Sequence, residues 1–314
     1  MKNIKIISKK IKDYLKFIKT PLPELLIKAD RIRRIHCGKI LDICSILNAK
    51  SGRCSEDCKY CAQSAHYSAS VPVYSLLSSQ EIFNAALKAK ADGAEHFGIV
   101  TSGNRLSEAE LDQVREVTRK IVVEVGIKVC GSLGALTREQ LLKLKEAGMT
   151  RYHHNIETSS SFYPKIVSTH SFEDRIRTIE AAKSAGMQVC SGGILGIGES
   201  WEDRIEMALI LKELKVDSVP LNILIPINGT PLSGIPLVSR DEVIRALALL
   251  RIILKKPVIK IAGGRETRLK DFQGLGFMAG ANGLLIGGYL TTRGRSVEED
   301  QEFIQEIRKL WAED

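Results

Sequence analysis

Seven times along this chain a Ser or Thr stands three residues ahead of a Glu, Asp or Gln: Ser78 with Glu81, Ser107 with Glu110, Thr137 with Gln140, Ser171 with Asp174, Ser200 with Asp203, Ser239 with Glu242 and Ser296 with Glu299. A hydroxyl at that spacing caps an early backbone amide of a helix while the partner side chain reaches back, so each pair predicts a helix start. Between these starts lie short runs rich in Val and Ile, and they predict strands at 40–48, 95–100, 128–132, 151–156, 188–194, 218–223, 258–262 and 283–286. Eight strands separated by helices read as parallel, since a helical crossover brings the chain back in the same direction. They predict a (β/α)8 barrel of the TIM type, with a doubly wound open sheet as the structural alternative. The length of 314 residues suits one such barrel, expected over 36–314. Residues 1–35 are expected to form an N-terminal helical extension, broken near Pro21 and Pro23.

The barrel expectation directs attention to the loops after the strands, because active sites in this architecture lie at the strand C-terminal ends. The loop after the first expected strand, SGRCSEDCKYCAQSAHY at 51–67, carries Cys54, Cys58 and Cys61. Three thiolates so closely spaced suit one metal centre. A 4Fe-4S cluster takes four ligands, so a three-cysteine loop leaves one iron for a ligand that is not protein. Structural zinc wants a second cysteine pair or histidines at a set distance. His66 is the one nearby residue that could complete such a site.

A second set of cysteines falls on the strands themselves. Cys44, Cys130 and Cys190 lie on the first, third and fifth expected strands and Lys260 on the seventh. Alternate strands of a barrel contribute one interior layer of four side chains, so these residues are expected to face one another. Cys37, seven residues before Cys44, is expected to reach the same place.

The cysteine loop resembles that of the biotin synthase family of radical S-adenosylmethionine (SAM) enzymes almost residue for residue, and further motifs follow in the family's order. The resemblance implies that Cys54, Cys58 and Cys61 hold a 4Fe-4S cluster whose fourth iron is chelated by SAM. It implies that Tyr60 lies against the adenine, and that Gly192, Ile194, Gly196 and Glu199 in SGGILGIGE form the adenine-binding strand end. Residues 100–103 correspond to the segment whose carbonyls meet the methionine amine. In YHHNIETS, Asn155 matches a ribose ligand while Glu157 replaces an aspartate. Arg175 stands at the position for the SAM carboxylate, Asn222 at the residue that binds the ureido ring of dethiobiotin, and His153 where the family has another asparagine.

KVCGSLG and QVCSGGILGIGE resemble the segments carrying Cys130 and Cys190 as ligands of an auxiliary cluster. Here the chain departs from the family, for Gly98 replaces a cysteine ligand and Lys260 an arginine ligand. Cys37 and Cys44 are expected to supply what is lost. Four thiolates favour an auxiliary four-iron cluster over a 2Fe-2S one. Lys260 is a possible but poor ligand, because its amine must lose a proton to bind metal.

The activity implied is radical SAM-dependent insertion of sulfur into dethiobiotin to form biotin, a sulfurtransferase reaction. A methylornithine synthase, a hydrogenase maturase or a non-catalytic metal-binding scaffold are the alternatives. The resemblance also implies a flavodoxin or ferredoxin electron donor, the iron-sulfur assembly machinery and a homodimer.

Composition narrows the setting. The net charge of +9 is partly local, for residues 1–28 carry eight lysines. Basic and aromatic residues are not interleaved as in nucleic-acid binders, and no apolar run is long enough to span a membrane. Seven cysteines without an export signal read as thiolate chemistry in a reducing cytoplasm.

Overall fold

A computed structural model describes residues 10–288 and 294–312. All strands pair in parallel and close into a barrel. In chain order they are β1 (Asp42–Lys50), β2 (His96–Thr101), β3 (Lys128–Ser132), β4 (Met149–His153), β5 (Gln188–Cys190), β6 (Gly193–Leu195), β7 (Ser218–Ile223), β8 (Val258–Ile261) and β9 (Gly283–Leu285). Because β5 and β6 are two halves of one interrupted strand, the nine segments make the eight expected positions. Cys190 of β5 pairs with Ser218 of β7 and β6 continues along the same neighbour. The interruption has a steric cause. A Cβ on Gly192 would lie 1.9 Å from the Pro220 carbonyl oxygen and one on Gly193 2.3 Å from that of Glu157. Only glycine lets the backbone pass between β7 and the segment after β4.

The expected helix starts are present. Reciprocal caps open α2 (Ser79–Ala91), α3 (Glu108–Lys120), α4 (Arg138–Glu146), α5 (Phe172–Ser184), α6 (Trp201–Glu213) and α7 (Arg240–Leu254). Ser296 and Glu299 cap each other in the same way ahead of the last helix, Val297–Ala312. One strand departs most from its expected bounds. The fourth strand begins at Met149 and stops at His153, freeing His154, Asn155 and Glu157 to line the mouth. The expected break is present: helix stops before Thr20 and Pro21 and resumes as α1 (Leu22–Cys37), with Pro23 in the first turn, where proline lacks only an amide that would be unpaired anyway. Residues 1–9 of the expected extension lie outside the described residues.

The main apolar core lies between strands and helices, while the barrel interior has, among the described residues, a small cluster of Cys44, Ala262 and Leu285 with Ile46 packed on it. That division leaves room inside the barrel. α1 packs across α7, which is consequently buried around most of its circumference. At the C-terminal side Arg265, fully buried, donates to both carboxylate oxygens of Asp300 at 2.8 and 2.6 Å. No helix among the described residues is long and apolar enough to cross a membrane.

Asp300→Ala removes the charge-assisted hydrogen bonds to the fully buried Arg265 Nη2 but leaves Glu266 at 3.1 Å from Nε, so it is expected to lower stability by about 1.5–3 kcal/mol. Asp241→Ala, at the exposed Arg245 pair, should cost less than about 1 kcal/mol. Urea midpoints of the two variants would check the contrast.

Candidate active site

The strand C-terminal ends surround a cavity of about 460 Å³, within the usual range for a small-molecule site. Its rim holds the cysteine loop. Cys54 N–H donates to the Gln63 carbonyl, Ala65 N–H to that of Cys54, and Cys61 N–H to that of Cys58. These bonds fold the loop on itself, and Cys54, Cys58 and Cys61 all line the cavity as free thiols. Burial pushes the Cys58 thiol up to about 12 and raises Cys61 as well, each feeling a neighbouring cysteine. A metal relieves that cost by taking the thiolates, so the donor set fits a cluster. His66 is exposed with Nε2 2.9 Å from the Ser55 carbonyl oxygen and does not complete a zinc set.

Next to the loop lie the residues expected to meet SAM. Asn155 Oδ1 accepts from Gly192 N–H at 3.1 Å. Glu157 adopts a φ of 68°, and its Oε2 is buried without a partner among the described residues. Burial raises its pKa against the opposing pull of Arg175. Arg175 donates through Nε to the Tyr163 hydroxyl at 2.6 Å and through Nη1 to the Asn155 carbonyl at 3.0 Å. Tyr60, Ile194 and residues 100–103 also line the cavity.

Gly192, Gly196 and Glu199 do not line it. The Glu199 carboxylate accepts the Gly196 and Ile197 amides and pairs with Arg204 at 2.7 Å, so it shapes the turn behind the cavity wall. Gly196 is required there by a φ of 89°.

Deeper in, Asn222 lines the cavity, and its Oδ1 accepts from Gly263 N–H at 3.0 Å. The amide that was expected to use both its donor and its acceptor on a ligand thus has its oxygen committed to backbone. His153 faces inward with Nε2 buried and unpartnered among the described residues. Burial, then the Lys260 and Arg151 charges, hold it neutral.

At the floor, Cys44, Cys130 and Cys190 come together with Lys260. The Lys260 ammonium lies 2.6 Å from Cys44 Sγ and 2.8 Å from Asp42 Oδ1. Arg151 donates from both terminal nitrogens to the other Asp42 oxygen at 3.2 Å. Burial raises all three thiols, Cys130 to about 12. For Asp42 the burial penalty is outweighed by Lys260 and Arg151, and its carboxyl stays well below the usual range.

Cys37 does not join this group. α1 runs unbroken to Cys37, which places the thiol beneath the barrel wall, 3.2 Å from an Arg251 nitrogen and 3.7 and 3.6 Å from the Lys255 and Lys256 carbonyl oxygens. Spacing along the chain could not reveal that the intervening helix end points away. Conversely, the sequence reading missed Asp42, His96 and Arg151. The period of two was the available signal, for Asp42 shares a strand face with Cys44, and Arg151 with His153. One ligand atom each of Asp42, Cys44 and His96 lie within 4.8 Å of one another.

A parallel barrel with three cysteines on the loop after its first strand is the arrangement of the radical SAM enzymes, and residues 49–211 match the model of the Radical SAM superfamily. Residues 220–308 match the Biotin and Thiamin Synthesis associated domain. The chain is 48% identical over 287 residues to a biotin synthase of Pelotomaculum thermopropionicum, covering 91% of this chain and 89% of the relative. It is 51% identical to that of Thermotoga neapolitana, covering 86% and 97%. The chain belongs to the biotin synthase family.

Among solved structures, methylornithine synthase superposes with a TM-score of 0.81 at 20% identity over 95% of this chain and 92% of that one. The FeFe-hydrogenase maturase of Carboxydothermus hydrogenoformans gives 0.76 at 19% over 97% and 79%. At such identities the likeness is one of fold, while the close sequence relatives bear the biotin synthase name.

The floor has a pH consequence. Burial holds His96 at about 4, below the ordinary value near 6.5, and His153 moves the same way. Between those values the unfolded chain binds protons that the folded chain does not. Stability should therefore fall as pH drops from about 6.5 to 4, and His96→Gln should flatten part of that slope in denaturant titrations across the range.

Proposed function

We propose that this chain inserts sulfur into dethiobiotin to form biotin, using SAM, a 4Fe-4S cluster on Cys54, Cys58 and Cys61, and an auxiliary cluster on the barrel floor. The observation that carries the reading is one continuous cavity with three thiols at its rim and Cys190 with Lys260 at its base. When bound, the rim cluster with SAM supplies hydrogen-atom abstraction from unactivated carbon, and the floor cluster supplies sulfide. The chain's own residues bind, orient and exclude water.

Arg175, with Nε and Nη1 held by protein oxygens, offers Nη2 to the SAM carboxylate. The free Glu157 oxygen suits a ribose hydroxyl. The Asn222 amide N–H groups have no protein partner among the described residues and suit the ureido carbonyl of dethiobiotin. The neutral His153 Nε2 suits a polar group of the same substrate.

For the auxiliary cluster the ligand set favoured by geometry is Cys44, Cys130 and Cys190. Lys260 serves as a charge partner and not as a ligand, because its ammonium is committed to Asp42. Lys260 and Arg151 are two buried cations against one nearby carboxylate, and thiolates offset the surplus. Three thiolates match a four-iron core with one iron free of cysteine, whereas a 2Fe-2S cluster would need a fourth protein ligand. A flavodoxin or ferredoxin donor, iron-sulfur assembly proteins, a homodimer and a cytoplasmic setting complete the proposal.

Iron and sulfide content with Mössbauer spectra on anaerobically reconstituted protein tests the ligand set. The wild type is expected to hold about eight irons as two four-iron signals. Cys37→Ala should keep both signals and biotin formation, while Cys44→Ala should lose one signal and the activity. Loss of the second signal in Cys37→Ala would restore that residue as a ligand and sink the three-thiolate set.

A further inference from the structure

Arg175 is not held by cavity residues alone. Its Nε donates to the Tyr163 hydroxyl at 2.6 Å, that hydroxyl lies 2.8 Å from His170 Nε2, and His170 Nδ1 lies 2.5 Å from Glu56 Oε2. Since the tyrosine oxygen accepts from the guanidinium, its own proton is free to go to His170 Nε2. His170 must then carry its proton on Nδ1 and give it to Glu56. Every proton in the chain has one consistent position, and the tautomer follows from the network.

Glu56 sits between Cys54 and Cys58, so the chain of bonds starts on the cysteine loop and ends on the guanidinium. The loop is clamped to the same segment independently. Asp57 accepts from the Ser168 and Thr169 amides at 2.8 and 3.1 Å, and Lys59 N–H donates to the Ile166 carbonyl at 3.0 Å. Tyr163 is fully buried, its ring edge-on to Phe172 at the start of α5, the helix that carries Arg175. A buried tyrosine hydroxyl needs a partner, and Arg175 already provides one. The histidine and glutamate beyond it are not needed for that purpose. They fix which way the hydroxyl proton points, and so keep its lone pair on Arg175.

We propose that Glu56, His170 and Tyr163 are positioning residues that hold the Arg175 guanidinium in register with the cysteine loop, so that the SAM carboxylate and the iron-chelating end of SAM are received at a fixed separation. The proposal rests on the reading of Arg175 as the SAM carboxylate ligand. It makes affinity for the amino-acid half of SAM depend on three residues of which Tyr163 does not reach the cavity.

The test is equilibrium binding to cluster-reconstituted protein of two ligands, SAM and 5'-methylthioadenosine, which keeps the adenosine but lacks the carboxylate. Tyr163→Phe preserves the ring packing and should weaken SAM about tenfold or more, the scale of a hydrogen bond to a charged group. Binding of 5'-methylthioadenosine should stay within about twofold. His170→Ala should weaken SAM in the same selective way, and Glu56→Gln, which keeps an acceptor for His170, should stay close to wild type. Unchanged SAM binding in Tyr163→Phe overturns the relay, and so does an equal loss of both ligands, which marks a general disturbance of the site. Arg175→Ala separates the two levels of the argument. If it binds SAM like wild type, the carboxylate assignment itself fails, whereas selective loss in Arg175→Ala beside unchanged binding in Tyr163→Phe rejects the relay alone.

Discussion

A buried carboxylate facing two buried cations sets the character of this barrel. Asp42 receives Lys260 on one oxygen and Arg151 on the other, from strands that lie to either side of its own in the ring. Barrels of this type ordinarily fill their interior with branched apolar layers. Here the equivalent layer is made of thiols and charges, and such groups cannot collapse onto one another as Val and Ile do. The charges among them keep partners at hydrogen-bond distance. The cavity lies directly above this floor, with Lys260 and Cys190 in its lining.

The rim obeys a different logic. Nothing there is a strand, and the loop with its three cysteines would be free to drift were it not tied to the segment leading into α5 through Asp57, Glu56 and Lys59. Two parts of the site that are more than a hundred residues apart in sequence are thus built as one unit. Preorganisation of this kind is what a site needs if its reactive groups are to be received without reordering the protein.

How much of this could be read from the sequence depended on whether the governing physics was local. Capping boxes are contained within four residues, so every helix start they marked is found. The barrel's layer rule, applied to the predicted strands, put Cys44, Cys130, Cys190 and Lys260 in one layer. Cys37 went astray because its direction is set by how α1 lies on α7, a tertiary matter. Glu199 and Gly196 were expected at the cofactor, yet their partners are the turn's own amides and Arg204, which motif spacing alone does not distinguish. The relay through Tyr163 and His170 carried no signal at all in a single sequence, because its members have nothing in common until the barrel closes.

The packing of α1 across α7 bears on how the chain is made. α1 is synthesised about two hundred residues ahead of the helix it must cover. Until then its apolar stripe, centred on Leu25 and Ala29, has no native surface to meet. Lys28, Arg31 and Arg34 occupy its outward side. Like charges on a waiting helix disfavour association between nascent copies until the barrel is complete.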